Sequence, residues 1–426
     1  MNYSLSKIWK SPSARNVGKL ISANVIAQVL GILVYPILTR IYAPEDFALL
    51  SLFTSILSVI ALISTAEYQY AIVLPKDEPK AIALVRLSFL ITLIVAGVLC
   101  LSLPFSSYIA ELFRTPQLAS WWWAMPLSVA VMSAWNILNY WYIRRKAFTR
   151  ISGYQISQSI LSAGSKIAFG SIGWYRGGLI LATIFAPLIS LLLSVGLAWK
   201  KHLAELFTSP TVPLKEVAHE YANFPKYNLP RALVNSLAQA MPIWLLTPCF
   251  GLSQVGIFSL AMMASYVPLS IIARACYQVF FQKISVLVQN SQPIDAILRR
   301  FILSMSALMV IGLGAIYWIM PQLVTLLFGA EWLESASVIR ALYPYLILTP
   351  VCGTICFLSD VFAKQKAAMW MEAAYVLMMG VALEIGIYCG SFMTSVWLLS
   401  WMRFAYLTIQ LIWFLSLVRN YHKTLS

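Results

Sequence analysis

LTRIYAPEDFALLSL (residues 38–52) and LTPCFGLSQVGIFSL (residues 246–260) align without a gap, and each string lies between two apolar stretches. Each is therefore predicted to form the turn between two helices. Two further pairs keep nearly the same offset: Asn24-x-x-Ala27-Gln28 with Asn235-x-x-Ala238-Gln239, and Tyr68-Gln69 with Tyr277-Gln278. The common order of these matches predicts that the chain consists of two duplicated halves.

The apolar stretches around this repeat are long enough to cross a membrane. Only 11% of the 426 residues are charged and 60% are hydrophobic, whereas soluble proteins carry about 25% charged residues. Runs of about 20 apolar residues, the length that spans a bilayer, recur along the chain. Twelve spans are predicted, at approximately 17–39, 48–68, 84–104, 120–141, 152–172, 178–199, 232–251, 255–279, 301–320, 340–360, 367–389 and 393–418. The sequence thus predicts an all-α polytopic membrane protein and excludes a soluble domain as its main content.

The longest predicted loop divides the spans into two groups of six. We predict an N-terminal six-helix bundle over 1–199, a cytoplasmic linker over 200–230 and a C-terminal six-helix bundle over 231–426. Because each half holds an even number of spans, both halves have the same orientation. This is the parallel-repeat arrangement of transporters whose binding site lies at the repeat interface.

The basic residues predict the orientation of the chain. Of 30 Lys and Arg residues, 23 lie in the even-numbered loops and the two tails, and only Arg40, Arg114 and Arg176 lie in odd-numbered loops. Cytoplasmic loops carry the excess of positive charge, so both termini are predicted to be cytoplasmic. The polar, basic start of the chain predicts no cleavable signal peptide.

The sequence contains no motif that indicates an enzyme. The three histidines lie in loops or tails, the six cysteines form no CxxC pair, and no nucleotide-binding or nucleophile motif occurs in a suitable context. We therefore expect no catalytic activity, no cofactor and no metal site.

Polar residues inside the spans are the remaining functional candidates. A charge at the bilayer centre costs on the order of 3 kcal/mol and normally faces a bundle interior or a cavity. In span five, Gln155, Gln158, Ser162 and Lys166 follow helical spacing on one face. The predicted substrate-binding residues are Lys19, Asn24, Gln28, Lys166, Arg231, Asn235, Gln239 and Arg274.

Structural interpretations of these residues stay open beside the functional one. The neutral groups can form hydrogen bonds between helices. Lys19 and Arg231 can serve as positive-inside determinants without binding cargo. Glu372, Glu384 and Arg403, in spans eleven and twelve, are interpreted as a structural ion pair.

Several stretches resemble Wzx-type polysaccharide flippases, which the MOP superfamily includes. They are FPKYNLPRALVNSLAQAMPIWLLTPCFG (224–251), EYQYAIVLPKDEPKAIAL (67–84), RIYAPEDFALLSL (40–52) and FGAEWLESASVIRAL (328–342). The resemblance implies a MATE-like fold, in which two six-helix bundles surround a central cavity. It also implies a bacterial inner-membrane protein whose partners are an undecaprenyl-diphosphate-linked oligosaccharide and the polymerase and chain-length machinery. Where the family usually has Arg-Tyr-Glu, this chain has Glu67-Tyr68-Gln69, so no family role transfers to that motif.

The predicted function is that of a flippase for polyprenyl-diphosphate-linked oligosaccharide repeat units, working by alternating access through a cationic central cavity. A cationic, hydrophilic cleft would remove the cost of desolvating the cargo's polar head. One alternative is a drug or cation antiporter of the same superfamily, which usually needs buried carboxylates, whereas the first half has no acid deep inside a span. Another is a membrane-bound polymerase or glycosyltransferase, which generally needs a sizeable external loop or an acidic catalytic site.

Overall fold

The computed structural model describes residues 27–199, 203–208 and 212–425, and this part of the chain is helical without strands. Twelve long helices follow one another: α1 (Ala27–Leu38), α2 (Pro44–Thr65), α3 (Glu78–Leu101), α4 (Ala124–Arg144), α5 (Phe148–Ser171), α6 (Gly178–Ala198), α7 (229–250), α8 (252–289), α9 (Asp295–Phe328), α10 (Tyr343–Ile355), α11 (Gln365–Tyr388) and α12 (Phe392–Leu425). Among the described residues, eight continuous helices are long and apolar enough to cross a membrane, and one of these, Phe224–Gln289, contains both α7 and α8. The predicted all-α, multi-pass fold with about twelve spans is confirmed.

The two turns that the repeat predicts are both present. Between α1 and α2, the helix restarts at Pro44, and the Asp46 carboxylate accepts the Ala43 N–H at 3.1 Å. In the second half, Leu229–Gln289 is broken at Gly251, whose φ of 80° and ψ of 173° are non-helical. Glycine adopts this left-handed φ without the steric cost that a Cβ would bring. The break therefore falls within the string that aligns with residues 38–52.

Several helices are longer than the predicted spans. The span predicted at 301–320 is α9, Asp295–Phe328, and the one predicted at 393–418 is α12, Phe392–Leu425. Hydropathy marks only the apolar stretch, whereas the backbone hydrogen-bond ladder continues into polar residues at the helix ends.

The chain divides into two compact units, Met1–Ser236 and Leu237–Ser426. The first unit includes residues 203–208 and 212–228, here called the connector, which lie in the segment predicted as a linker. Connector residues Leu203, Leu206 and Val217 are buried in the same apolar core as residues of α3 and α4.

Polar contacts also hold the connector to the first unit. Arg86 Nε on α3 donates to the Leu206 carbonyl at 2.8 Å, and Lys80 Nζ pairs with Glu220 Oε2 at 2.7 Å. Arg145, which directly follows α4, pairs with Glu205 in the first stretch of the connector. The described part of the predicted linker is thus a folded piece of the first unit.

The second unit has its own apolar core, formed where α8, α9, α10 and α12 meet around Ile284, Leu298, Val351 and Phe414. Backbone atoms approach closely between α11 and α12, where a Cβ on Gly386 would lie 2.5 Å from Ser395 Cα. The α10 backbone is tied to α12 by the Tyr345 N–H, which donates to Ser400 Oγ at 3.1 Å.

Candidate functional site

A cavity of about 410 Å³ lies inside the first unit, between α1, α4 and α5. Its described lining residues are Ala27, Gln28, Gly31, Val34, Tyr35, Leu38, Trp135, Tyr154, Gln155, Gln158, Ser159, Ser162, Ala163 and Lys166. The volume lies in the lower part of the range of small-molecule pockets, about 300 to 1,000 Å³. It can hold a part of a large cargo.

Helix α5 supplies most of the polar groups of the cavity. Gln155, Gln158, Ser162 and Lys166 recur every three or four residues, so they lie on one face of the helix. All four line the cavity, as their spacing predicts. A face this polar is stable within the membrane-spanning part of the unit only because it is turned away from lipid.

Two hydrogen bonds fix α5 against the beginning of the chain. Ser159 Oγ donates to the Ala27 carbonyl of α1 at 3.0 Å. The Tyr42 hydroxyl, in the turn between α1 and α2, donates to the Lys166 carbonyl at 2.7 Å. Because the second bond uses the backbone of Lys166, it positions this residue without occupying its ammonium group.

The electrostatic character of the cavity comes from one cation. Among the described lining residues, Lys166 is the only charged one, and none is an Asp or Glu. No ion pair of Lys166 is found in the part of the chain that the structure describes. Gln155 Oε1 is buried and has no hydrogen-bond partner there. The cavity therefore offers one positive charge and one unsatisfied acceptor.

An aromatic wall completes the cavity. The rings of Trp135 on α4 and Tyr154 on α5 are stacked, with centroids 3.3 Å apart and an interplanar angle of 8°. Neither residue is among those that the sequence predicts for the site. A signal was available, because Trp135 lies in the middle of α4, whereas interfacial tryptophans lie at span ends.

The structure brings some of the predicted site residues together and leaves others apart. Gln28 and Lys166 line the same cavity, whereas Lys19 and Asn24 lie outside the described residues. Arg231, Asn235 and Gln239 follow one another at four-residue intervals along α7, with exposed side chains. Arg274 is exposed on α8.

The second unit contains a half-buried cation, Arg403 on α12. Its guanidinium carbon lies 4.7 Å from the ring centroid of Tyr375, 5.2 Å from that of Tyr406 and 5.7 Å from that of Tyr345. Arg403 Nη1 lies 3.8 Å from Glu372 Oε1. The predicted pairing of Arg403 with Glu372 is confirmed, and Glu384 is exposed.

The Glu67-Tyr68-Gln69 motif, which departs from the Wzx pattern, lies just after α2. Ala66 and Glu67 adopt left-handed backbone conformations with φ of 46° and 63°, which turn the chain sharply. The hydroxyl of Tyr68 donates to the Ala218 carbonyl at 3.0 Å. The motif therefore has a structural role in this chain, because it holds the connector against the first unit.

Comparisons with known proteins identify a family for the chain and solved structures with a similar fold. Residues 37–337 match the family model described as "Polysaccharide biosynthesis protein". The fold is similar to that of an inward-facing multidrug resistance MATE family transporter of the MOP superfamily, with 16% identity over 93% of this chain and 96% of that one and a TM-score of 0.70. It is also similar to the lipid II flippase MurJ in an inward closed conformation, with 14% identity over 95% and 91% of the two chains and a TM-score of 0.71.

A third similar structure is the Vibrio cholerae MATE transporter VcmN in the bent form, at 12% identity, 96% and 98% coverage and a TM-score of 0.55. No curated protein sequence matches the chain. At these identities, the similar structures show the fold alone.

Proposed function

Because the chain belongs to the polysaccharide biosynthesis protein family, we propose that it is a flippase for polyprenyl-diphosphate-linked oligosaccharide repeat units. The oligosaccharide repeat units pass from the cytoplasmic to the periplasmic leaflet of the bacterial inner membrane. There, polymerase and chain-length machinery use them for O-antigen, capsule or exopolysaccharide. The cargo site is exposed to the two faces in alternation. The observation that carries the proposal is the cavity of the first unit, with its lysine, its three glutamines and no acid among its described lining residues.

The physical task of such a flippase is to lower the cost of desolvating the cargo's head. Hydroxyl groups cost several kcal/mol each when they leave water without a hydrogen-bond partner. Amide side chains both donate and accept, so Gln28, Gln155 and Gln158 can replace water around a sugar. Lys166 adds a positive charge, which favours an anionic cargo.

A drug or cation antiporter is the second candidate, since two of the similar structures are MATE transporters. Cationic cargo needs anionic ligands to offset its desolvation. The described cavity presents a cation instead, which favours the flippase.

Transport by the purified full chain in liposomes tests the proposal. Vesicles contain the lipid-linked repeat unit extracted from cells that make the protein, and membrane-impermeant periodate is added outside. We expect the whole glycan pool to become oxidised in vesicles with the protein, whereas in protein-free vesicles the inner-leaflet pool stays protected. Protection equal to that in protein-free vesicles, together with uptake of a cationic dye, would establish the antiporter.

The orientation is tested separately, because it rests on the distribution of basic residues. Alkaline phosphatase fused near residues 112, 175 and 332 should be active, and fusions near 148, 215 and 290 should be inactive. A reversed pattern at two adjacent loops would contradict both the orientation and the number of spans.

Arg231 and Arg274 are the proposed diphosphate ligands, together with Lys19. Both arginine side chains are exposed, and a guanidinium binds phosphate oxygens in pairs. We expect Arg231→Gln and Arg274→Gln to lose most export at a normal protein level, and the Lys variants to restore part of it. Wild-type export by Arg274→Gln would remove this residue from the site.

A further inference from the structure

We propose that the first-unit cavity binds one acidic sugar of the cargo, a pyranose with a single carboxylate, and that it does not bind the diphosphate. This inference rests on the proposed flippase function and assigns a part of the cargo to one site. It changes the interpretation of Lys166, which the sequence alone groups with the other cations.

The charge of the described cavity lining matches one carboxylate better than a diphosphate. A diphosphate diester carries one negative charge on each phosphate, and a charge that is buried without compensation costs several kcal/mol. The described lining of the cavity contains one cation, Lys166, and no second positive group. This lysine can neutralise one carboxylate, whereas a diphosphate needs a second cation, which the described lining does not supply.

The side-chain oxygen of Gln155 favours a cargo group that can donate a hydrogen bond. Gln155 Oε1 is buried without a hydrogen-bond partner among the described residues, and such a group costs free energy until a donor reaches it. An ionised diphosphate diester has acceptors only, so it cannot donate to this oxygen. A sugar hydroxyl both donates and accepts, and it can satisfy Gln155 while accepting from a neighbouring amide.

The lining of the cavity combines aromatic rings with amide side chains, which suits a sugar. The stacked pair of Trp135 and Tyr154 lines the same cavity as the polar stripe of α5. A pyranose ring has apolar C–H faces and a polar edge, so it can contact the rings and the amides together. A phosphate group has no apolar face to place against the rings. The volume of about 410 Å³ is large enough for one sugar of the repeat unit.

The composition of the native repeat unit provides the first test. Sugar analysis of the lipid-linked repeat unit from cells that make the protein should find a sugar with one carboxylate. A repeat unit built only from neutral sugars would overturn the inference and leave the flippase function untouched.

Transport of a chemically altered cargo provides the second test. Carbodiimide activation and borohydride reduction convert the glycan carboxyl to a primary alcohol, and mass spectrometry verifies that the diphosphate remains. In the liposome assay, we expect the wild-type chain to move the native repeat unit about tenfold faster than the reduced one, as for a lost charge-assisted hydrogen bond. Equal rates for the two cargoes would overturn the inference.

Lys166→Gln should slow the native repeat unit to the rate of the reduced one and leave the reduced one unchanged. Lys166→Arg, which keeps the charge, should retain part of the preference and verifies that the site still folds. Lys366→Gln removes an exposed lysine outside the cavity and should move both cargoes at wild-type rates. If Lys166→Gln slows both cargoes alike, the lysine serves the diphosphate and the inference is wrong, although the flippase function stands. If the wild-type chain moves neither cargo, both fail.

Discussion

Each unit of the chain has a half-buried cation among its helices, and the surroundings of Lys166 in the first unit differ from those of Arg403 in the second. In the first unit, Lys166 lines a cavity with amides and no acid among its described lining residues. In the second unit, Arg403 lies among three tyrosine rings and beside Glu372. A cation that is already neutralised stabilises the fold, whereas a cation that faces an open cavity is available to a ligand.

The surroundings of Arg403 explain why it is structural. The Tyr406 hydroxyl donates to Glu372 Oε2 at 2.6 Å, and Gln410 Nε2 donates to the Tyr406 oxygen at 3.2 Å. The carboxylate, the rings and the guanidinium thus form one network across α10, α11 and α12. Such networks lose more stability when one member is removed than isolated pairs do.

The largest expected effect is the loss of stability caused by Arg403→Gln. The variant leaves Glu372 without its cation and removes the contacts with three rings. We expect a loss of about 3 kcal/mol of stability, roughly 6 to 12 °C in Tm for a unit of this size. Thermal unfolding followed by intrinsic fluorescence measures it. An unchanged Tm would mean that the second cation is as dispensable for stability as the first.

One glycine in each unit lies at a close contact, and replacing it by alanine measures how much room that contact leaves. A Cβ on Gly386 would meet the backbone of Ser395, which cannot rotate away. A Cβ on Gly170 would meet side-chain atoms of Ile41 and Tyr42 and no backbone atom among its nearest neighbours. We expect Gly386→Ala to cost about 1 to 3 kcal/mol and Gly170→Ala to cost less. The reverse order in thermal unfolding would contradict this difference.

The amides of the cavity should affect transport without affecting stability. Gln155→Leu removes a buried, unsatisfied acceptor, so its Tm should stay equal or rise, while transport falls several-fold because a hydrogen bond to the cargo is lost. Gln410→Leu is the matched control in the second unit, where the amide donates to Tyr406. We expect it to lower Tm and to leave transport per folded molecule unchanged. A transport loss of the same size in both variants would remove the contrast between the two units.

The smallest effect concerns the connector, which the first unit holds partly through charge. The hydrogen bond from Lys80 holds the pKa of the Glu220 carboxyl below its ordinary value. The stabilisation is therefore present above the ordinary glutamate pKa and is lost as the pH falls through the lowered value. After correction for the intrinsic pH dependence of amide exchange, the protection of Leu214–Glu220 against hydrogen exchange should decrease below about pH 4. In Glu220→Gln, this pH dependence should disappear. If the pH dependence persists in the variant, a group other than Glu220 causes it.

Much of the fold follows from periodic patterns. The twelve spans follow from apolar runs, and the turns at residues 39–43 and at Gly251 follow from the internal repeat. The stripe from Gln155 to Lys166 follows from helical spacing, because one helix face must avoid lipid. The spans and the stripe depend only on residues that are near one another in the sequence, and the repeat is detected because two such local patterns match.

The features that the sequence does not reveal depend on contacts between distant segments. Trp135 enters the cavity because α4 packs beside α5 and brings its ring onto Tyr154. The connector has the polar, proline-punctuated composition of a linker, yet Glu220 meets Lys80 of α3. Neither contact is encoded by local spacing, so neither could be predicted without the packing of the helices.

The most direct test of the central claim, that the first-unit cation binds cargo while the second-unit cation holds the fold, is the transport rate of Lys166→Gln. The variant is reconstituted at the density of the wild-type chain, and the native lipid-linked repeat unit is the cargo. We predict a Tm equal to or above that of the wild type, because a half-buried charge that forms no ion pair among the described residues has been removed, together with a transport rate about tenfold lower. Wild-type transport by Lys166→Gln, or a loss of Tm as large as that of Arg403→Gln, would contradict the account.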